Sequence, residues 1–158
     1  MSAFSKQLRA LPGIIALSTL VFVAGCSSGR TDSLAPADPS VTVRQFLDAV
    51  KASDLTSMSL LWGNERGPAA GYMDPQELRK RLTVIQIYLQ HDRFEFAEGG
   101  SLAMPGNEQV RVVSVRLLRS GCVAVVPFRL MPWQGKWLIT DIDLTPIGNP
   151  ARTCAPRP

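Results

Sequence analysis

The chain has 158 residues, with 17 basic and 13 acidic side chains, one histidine and three cysteines. Its length allows a single domain with one core. The longest run of basic residues is Arg79–Arg81, which is too short to indicate a nucleic-acid partner. One histidine leaves no recognisable zinc constellation, and the sequence has no EF-hand loop, Gly-rich phosphate motif or Gly-x-Ser-x-Gly elbow.

The N-terminal segment, residues 1–25, has the three-part layout of an export signal. A basic, acid-free start is followed by an almost wholly apolar stretch over residues 11–24 and then by Gly25 and Cys26. The strongly apolar part is about 14 residues long, whereas a membrane-spanning helix needs roughly 20. We therefore predict a cleaved signal peptide rather than a transmembrane anchor.

The tetrad Val23-Ala24-Gly25-Cys26 resembles the lipobox of bacterial lipoproteins. In that family the cysteine thiol receives a diacylglycerol, the signal is cut before the cysteine, and the new amine is often acylated as well. The resemblance implies that Cys26 is the mature N-terminus and carries two or three acyl chains, enough for stable attachment. The alternative is an ordinary secretory signal in which Cys26 falls near the cleavage site by chance.

The residue after the cysteine is Ser27 rather than Asp. In the commonest sorting rule of lipoproteins an Asp at this position retains the protein at the inner membrane. The resemblance therefore implies a location in the bacterial cell envelope, at the outer membrane facing the periplasm where the source has one.

Cleavage changes the charge and the cysteine content of the chain. The 17 basic residues become 15 against 13 acidic ones, so the net charge falls to +2. Cys122 and Cys154 remain as a pair, and an oxidising compartment favours a disulfide between them. That bond would close a loop of about 32 residues and contribute about 3 to 4 kcal/mol in the chain-entropy model. Two buried thiols are the alternative.

The mature chain begins with a polar segment and continues as one domain. Residues 26–38 are rich in Ser, Gly, Pro, Ala and Asp, which predicts a flexible tether spanning roughly 20 Å root-mean-square. The domain is predicted over residues 39–158.

Three helices are predicted in the first half of the domain. Asp38, Asp54 and Asp74 are N-cap candidates, and apolar residues recur at helical spacing behind each of them. The helices are predicted over residues 41–52, 55–63 and 75 to about 88–90, with a loop over residues 64–73. The basic cluster Arg79–Arg81 falls on the third helix, where it indicates a solvated helix face more than a nucleic-acid or anionic-lipid patch.

Beyond His91 the hydrophobic spacing changes from about 3.6 to near 2, which predicts strands. Four strands are predicted over residues 93–98, 109–119, 122–131 and 137–144, with a loop over residues 99–107 and tight turns at residues 120–121 and 133–136. Alternate residues of the third strand share one face: Cys122, Ala124, Val126, Phe128 and Leu130. Pro127 favours an edge position or a bulge for that strand. Helices followed by sequential strands predict an α+β domain with an antiparallel sheet.

This order of elements looks like that of the nuclear-transport-factor-2-like (NTF2-like) superfamily. The resemblance is carried by the first-helix sequence VRQFLDAVKA at residues 43–52, by Asp54 at the start of the second helix, and by the hairpin sequence GKWLI at residues 135–139. It implies three helices packed on a curved four-stranded sheet, which form a cone with a pocket. Another small exported α+β fold, such as a cystatin-like one, is the alternative.

Some NTF2-like proteins, such as the ketosteroid isomerases, use pocket carboxylates for proton transfer, but a fold alone does not carry that function over. Asp92 and Asp141 are the carboxylates that a lipid-anchored enzyme of this type would use, and Asp143 is predicted to share a strand face with Asp141. His91 adjoins Asp92, but neighbouring residues of a strand point to opposite faces, so Asp92 is poorly placed to orient a catalytic imidazole. We predict a surface or junction position for His91.

The stretch from Trp62 to Tyr72 joins two helices with two aromatic residues and several glycines. Such a loop serves either to plug the open end of the cone or to bind a ligand, and the structural role is favoured. The candidate pocket or loop residues are thus Trp62, Tyr72, His91, Asp92 and Asp141.

Together these features predict a non-enzymatic envelope lipoprotein without a catalytic residue, metal or cofactor. Its domain is expected to bind a partner protein or a small apolar ligand, and no nucleic acid. A homodimer formed through an exposed sheet face is left open. The alternative is the lipid-anchored enzyme with a pocket carboxylate.

Overall fold

The computed structural model of the protein describes residues 38–154. The predicted signal peptide, the lipobox with Cys26 and all but the last residue of the predicted tether lie outside that range. The described part is an α+β domain with three α-helices, a four-stranded antiparallel sheet and a separate two-stranded ribbon. The predicted α+β class, with three helices and a four-stranded antiparallel sheet, is therefore confirmed.

Each α-helix begins directly after an aspartate. The helices are α1 (Pro39–Ala52), α2 (Leu55–Leu61) and α3 (Pro75–Leu89). The carboxylates of Asp38, Asp54 and Asp74 accept hydrogen bonds of 2.8–3.1 Å from backbone N–H groups two or three residues ahead. These bonds satisfy donors that have no partner inside the helix, so the three predicted N-caps are confirmed.

The segment predicted as a loop over residues 64–73 contains regular structure. Two-residue strands β1 (Gly63–Asn64) and β2 (Gly67–Pro68) pair antiparallel, and a 3-10 helix follows at Ala69–Gly71. A Cβ atom at Gly63 would collide with the carbonyl oxygen of Gly67, so the close approach of these two strands needs glycine. Because Gly63 belongs to the ribbon, α2 ends at Leu61, earlier than predicted.

The main sheet is a meander in which each strand pairs with the next one along the chain. Its strands are β3 (Arg93–Met104), β4 (Asn107–Arg119), β5 (Cys122–Trp133) and β6 (Lys136–Ile142), in the order β3-β4-β5-β6. The turn predicted at Ser120 and Gly121 joins β4 to β5, and both residues have positive φ values, 48° and 77°. The antiparallel sheet and its four sequential strands are thus confirmed.

Strand β3 is longer than predicted, because part of the expected loop over residues 99–107 continues the strand. The register of β3 against β4 shifts between Phe96 and Ser101. Gly99 and Gly100 lie within the shift and have φ values of 97° and 60°, which glycine adopts at little cost. The two glycines therefore mark an irregularity inside a strand rather than its end.

The edge position considered for Pro127 is wrong, since β5 is a central strand. Pro127 lies where the pairing of β5 with β6 runs out, just before the last pair, Phe128 with Ile142. The carbonyl oxygen of Pro127 accepts a 3.1 Å hydrogen bond from the backbone N–H of Asp143, beyond the end of β6. The bulge considered as the other option lies two residues further along, where the register shifts between Arg129 and Leu130.

The helices and one face of the sheet enclose a single apolar core. Its largest fully buried side chains come from all three helices and from β5 and β6: Phe46, Leu47, Met58, Leu61, Leu82, Leu89, Phe128, Leu130, Leu138 and Ile139. The predicted inner face of β5 is confirmed, because Val126, Phe128 and Leu130 are buried while Val123 and Val125 are exposed. No helix within residues 38–154 is long and apolar enough to cross a membrane.

Candidate functional site

The face of the sheet turned away from the helices carries exposed apolar and charged side chains in two cross-strand rows. One row joins Arg93, Leu118 and Val123, and the next joins Glu95, Arg116 and Val125. Val123 and Val125 are 58% and 44% exposed. We call the surface formed by these six residues and Arg152 the outer sheet surface.

The outer sheet surface borders an open groove. The groove has a volume of about 930 Å³, and its lining includes the seven residues of this surface and both half-cystines of the domain, Cys122 and Cys154. The groove is partly open to solvent. It is therefore suited to a surface contact rather than to the enclosure of a small molecule.

Three arginines and one glutamate set the charge of this surface. Arg93 and Glu95 approach each other to 3.9 Å, and both side chains are more than half exposed. Arg116 lies directly across from Glu95 on β4, and Arg152 lines the same groove. The excess of arginine gives the surface a net positive charge, which favours a partner with acidic groups.

A disulfide holds the C-terminal tail beside this surface. Cys122 and Cys154 are bonded, with their Cα atoms 4.9 Å apart, so the predicted pairing is confirmed. The backbone N–H of Cys154 also donates a 2.9 Å hydrogen bond to the carbonyl oxygen of Ser120. These two links place Arg152 next to the start of β5.

The same tail closes the space between the sheet and the C-terminal end of α3. Residues Tyr88, Leu117, Ala124, Ile147 and Pro150 are among those that surround a cavity of about 30 Å³ there. That volume holds one or a few water molecules. It is about a tenth of the smallest volume typical of pockets for small ligands, roughly 300 Å³.

His91 lies at the junction of α3 and β3, as predicted, but it is buried and not on the surface. Its exposed fraction is 7%, and its ring packs edge-on against Phe94 with the centroids 5.4 Å apart. Nδ1 lies 2.8 Å from the carbonyl oxygen of Leu89, which can only accept, so Nδ1 carries the proton. The imidazole is thus held by the end of α3.

The carboxylate of Asp92 is exposed and forms its hydrogen bond away from the imidazole of His91. It accepts a 2.8 Å hydrogen bond from the backbone N–H of Ser120, and the carbonyl oxygen of Asp92 accepts one of 3.0 Å from Nζ of Lys51. Asp92 therefore ties the β4–β5 turn to the start of β3. The prediction that it does not orient the imidazole is confirmed.

Asp141 and Asp143 occupy different environments. Asp141 is paired with Arg129 at 2.8 Å on the outer side of the sheet, where both side chains are about half exposed. Asp143 lies beyond the end of β6, so the prediction that the two share a strand face is wrong. Hydrogen bonds from the side chain and backbone of Thr145 hold the pKa of Asp143 below its ordinary value, and nearby Arg129 adds to the effect.

Trp62 and Tyr72 both pack against the core from the ribbon side of the domain. Each is partly buried. Trp62 forms a parallel bridge with Ile139 of β6, and the guanidinium of Arg66 lies 4.1 Å from the ring centroid of Tyr72. These contacts favour the structural role considered for this stretch.

The structure does not bring the predicted pocket residues together. Within the described part of the chain, Asp92 and Asp141 are both exposed and neither lines the cavity beneath the tail. No group of three or more His, Cys, Asp or Glu residues among residues 38–154 is placed to hold a metal ion.

The sequence analysis left open a contact through an exposed sheet face but did not name the residues of the outer sheet surface. Its signal was present, because a β5 whose even-numbered residues face the core must turn Val123 and Val125 outward. Val123 and Val125 thus lie together on one exposed face, next to each other along the same strand.

Comparison of the chain with protein-family models, with curated proteins and with solved structures finds no match. The resemblances to bacterial lipoproteins and to NTF2-like domains therefore rest on the residues and on the order of the elements.

Proposed function

We propose that this protein is a lipid-anchored lipoprotein of the bacterial cell envelope, with an NTF2-like domain that binds a partner protein on its outer sheet surface. The anchor is Cys26, exposed as the mature N-terminus by removal of residues 1–25. The role is binding rather than catalysis.

The observation that carries the binding role is the contrast between the two faces of β5. On the inner face, Val126, Phe128 and Leu130 are completely buried. On the outer face, Val123 and Val125 remain about half exposed beside arginines of β3 and β4. Apolar residues bordered by arginine are typical of the contact surfaces of proteins.

The filled interior favours a partner protein over a small apolar ligand. The residues that would line a central pocket, such as Phe46, Phe128 and Leu130, have no exposed area. The cavity beneath the tail measures only about 30 Å³. A drug-sized ligand would have to displace core side chains, which are packed at close to crystal density in proteins.

The exposed carboxylates are also better explained by structure than by acid–base chemistry. Asp92 accepts a backbone hydrogen bond from the β4–β5 turn, and Asp141 is paired with Arg129. A general base must lie within hydrogen-bond reach of a substrate that a pocket holds in place. Neither carboxylate lines the cavity beneath the tail or the groove beside the outer sheet surface.

Site-specific photo-crosslinking in intact cells tests the proposal. A photoreactive amino acid at position 125 should give a discrete adduct with an envelope protein, and Arg116→Glu should reduce that adduct several-fold by reversing the charge of the surface. The matched control is the same amino acid at Thr56, an exposed position of α2 on the helical side.

Equal adducts at positions 56 and 125, or no adduct at position 125, would contradict a specific contact at the outer sheet surface. An adduct with twice the mass of the chain would identify the partner as a second copy, which is the homodimer considered from the sequence.

A further inference from the structure

The outward face of α3 carries two apolar side chains that the rest of the described domain leaves about half exposed. Lys80, Val84 and Ile87 follow one another at spacings of four and three, so they lie along one face of the helix. Val84 is 52% exposed and Ile87 is 48% exposed. We call Lys80, Val84, Ile87 and the neighbouring Trp62 the α3 outer face; Arg79 and Arg81 flank it on its two sides.

Trp62 extends this apolar face beyond the helix. Together with Lys80, Arg81, Val84 and Ile85 it lines a shallow, mostly apolar hollow of about 360 Å³. The backbone of Trp62 is held by its bridge to Ile139, and its side chain is partly buried against the core. Tryptophan next to basic residues and aliphatic side chains is the composition of surfaces that lie at a membrane interface.

The start of the α3 outer face is strongly basic. Arg79, Lys80 and Arg81 are consecutive, and the acidic residue nearest to them along the helix, Glu77, is already paired with Arg81 at 2.7 Å. Within the described chain, neither Arg79 nor Lys80 forms an ion pair. Two cations beside an apolar stripe are complementary to anionic headgroups above an acyl layer.

The chain between the proposed anchor and the domain is short. Whatever their conformation, the 12 residues from Ser27 to Asp38 reach at most about 43 Å. A domain of this size has a radius of gyration of about 13 to 14 Å. A lipid on Cys26 would therefore keep the domain within about its own diameter of the bilayer, at a local concentration that makes weak surface contacts effective.

We propose that the α3 outer face docks on an anionic phospholipid surface. Lys80, with Arg79 at its flank, meets the headgroup phosphates, and Val84, Ile87 and Trp62 lie at the boundary with the acyl chains. This docking rests on the lipid anchor of the proposed function. Since the helices cover the inner face of the sheet, docking through α3 turns the outer sheet surface towards the aqueous side, where a partner protein can reach it.

Lysine labelling on vesicles tests the docking. The lipid-modified protein, purified from its native membrane, is reconstituted on vesicles of phosphatidylcholine alone or with about one-third phosphatidylglycerol and acetylated with an amine-reactive reagent. We expect labelling of Lys80 to slow about three- to tenfold on the anionic vesicles relative to the neutral ones. Lys51, exposed at the end of α1, serves as the internal reference and should label equally on both.

Two double variants locate the effect. Val84→Ser with Ile87→Ser should restore Lys80 labelling on anionic vesicles, because it removes the apolar contact while leaving the charges. Val123→Ser with Val125→Ser is the matched control, since it removes two similarly exposed apolar residues from the outer sheet surface and should leave Lys80 protected.

Equal labelling of Lys80 on both kinds of vesicle, by a protein that floats with both, would overturn the docking and leave the anchor intact. Protection of Lys80 in native membranes but not on anionic vesicles would also overturn it, because a protein would then cover α3. Failure of the wild-type protein to float with neutral vesicles would overturn the anchor, and the docking with it.

Discussion

At the scale of single residues, Asp54 shows how one side chain starts a helix. Its carboxylate accepts a 3.0 Å hydrogen bond from the backbone N–H of Ser57 and a second bond from the hydroxyl of Ser57. These bonds hold the pKa of Asp54 below its ordinary value of 3.8, and the bond from the side chain of Ser57 has the larger effect. The ionised form is therefore the one that the folded domain favours.

The stabilisation by Asp54 should depend on pH in a defined direction. Because the folded pKa lies below the ordinary value, the ionised cap stabilises the fold above that value and loses its effect as the pH falls through the folded pKa. Asp54→Ala should lower the free energy of unfolding by about 1 kcal/mol at neutral pH, and this difference from wild type should shrink near pH 2. Urea unfolding at the two pH values measures it.

The control for this prediction is Asp48→Ala, which removes an exposed carboxylate in the middle of α1. Its effect should be small at both pH values. A cost of Asp54→Ala that stays the same down to pH 2 would show that the ionised carboxylate is not what stabilises α2.

The two faces of β5 should respond differently to truncation. Phe128 is completely buried, so Phe128→Ala should cost about 3 to 5 kcal/mol of unfolding free energy, as the loss of a core aromatic ring does. Val125 is 44% exposed, so Val125→Ala should change stability by no more than about 0.5 kcal/mol. Denaturant midpoints of the two variants test this, and a large loss for Val125→Ala would mean that Val125 serves the fold rather than binding.

At the scale of elements, local chemistry explains which parts of the fold could be predicted. The helix starts were predictable because a capping aspartate acts on N–H groups two or three residues away. The extension of β3 was not, because Gly99 and Gly100 resemble a strand end until β4 is present to pair with residues 101–104. The ribbon of β1 and β2 was hidden for the same reason, since two-residue strands have no periodicity to detect.

Burial of polar and apolar groups was harder to predict than the elements themselves. His91 was expected at a surface or a junction, and only the packing of Phe94 and the end of α3 against it shows that it is buried. The outer valines of β5 follow from the same alternation that predicted its inner face. These valines form a surface with Arg93 and Arg116 only because of the register of β3, β4 and β5. That register pairs residues that are distant in the sequence, so it could not be predicted from local patterns.

The disulfide is the element that fixes the C-terminal tail. It closes a separation of 32 residues, for which the chain-entropy model gives about 3 to 4 kcal/mol. Replacing both Cys122 and Cys154 by serine should lower the free energy of unfolding by up to that amount. Intact mass with alkylation before and after reduction should show two additional thiols only after reduction, whereas two thiols reactive without reduction in the folded protein would contradict the bond.

At the scale of the whole molecule, the described domain has a packed interior and two partly apolar surfaces, one on the sheet and one on a helix. These are the outer sheet surface and the α3 outer face. The proposed anchor would keep the domain close to the bilayer and so give these two surfaces different surroundings. The proposed lipid on Cys26 is therefore the condition on which the functional assignment of both surfaces depends.

Palmitate labelling of cells that express the full chain tests that condition. The wild-type protein should incorporate radiolabelled palmitate, and Cys26→Ser should abolish incorporation, because the thiol that receives the diacylglycerol is gone. Replacement of Cys122 and Cys154 by serine is the matched control and should leave the label in place. An unlabelled wild-type protein, or a Cys26→Ser variant that is still labelled, would contradict lipidation at this position.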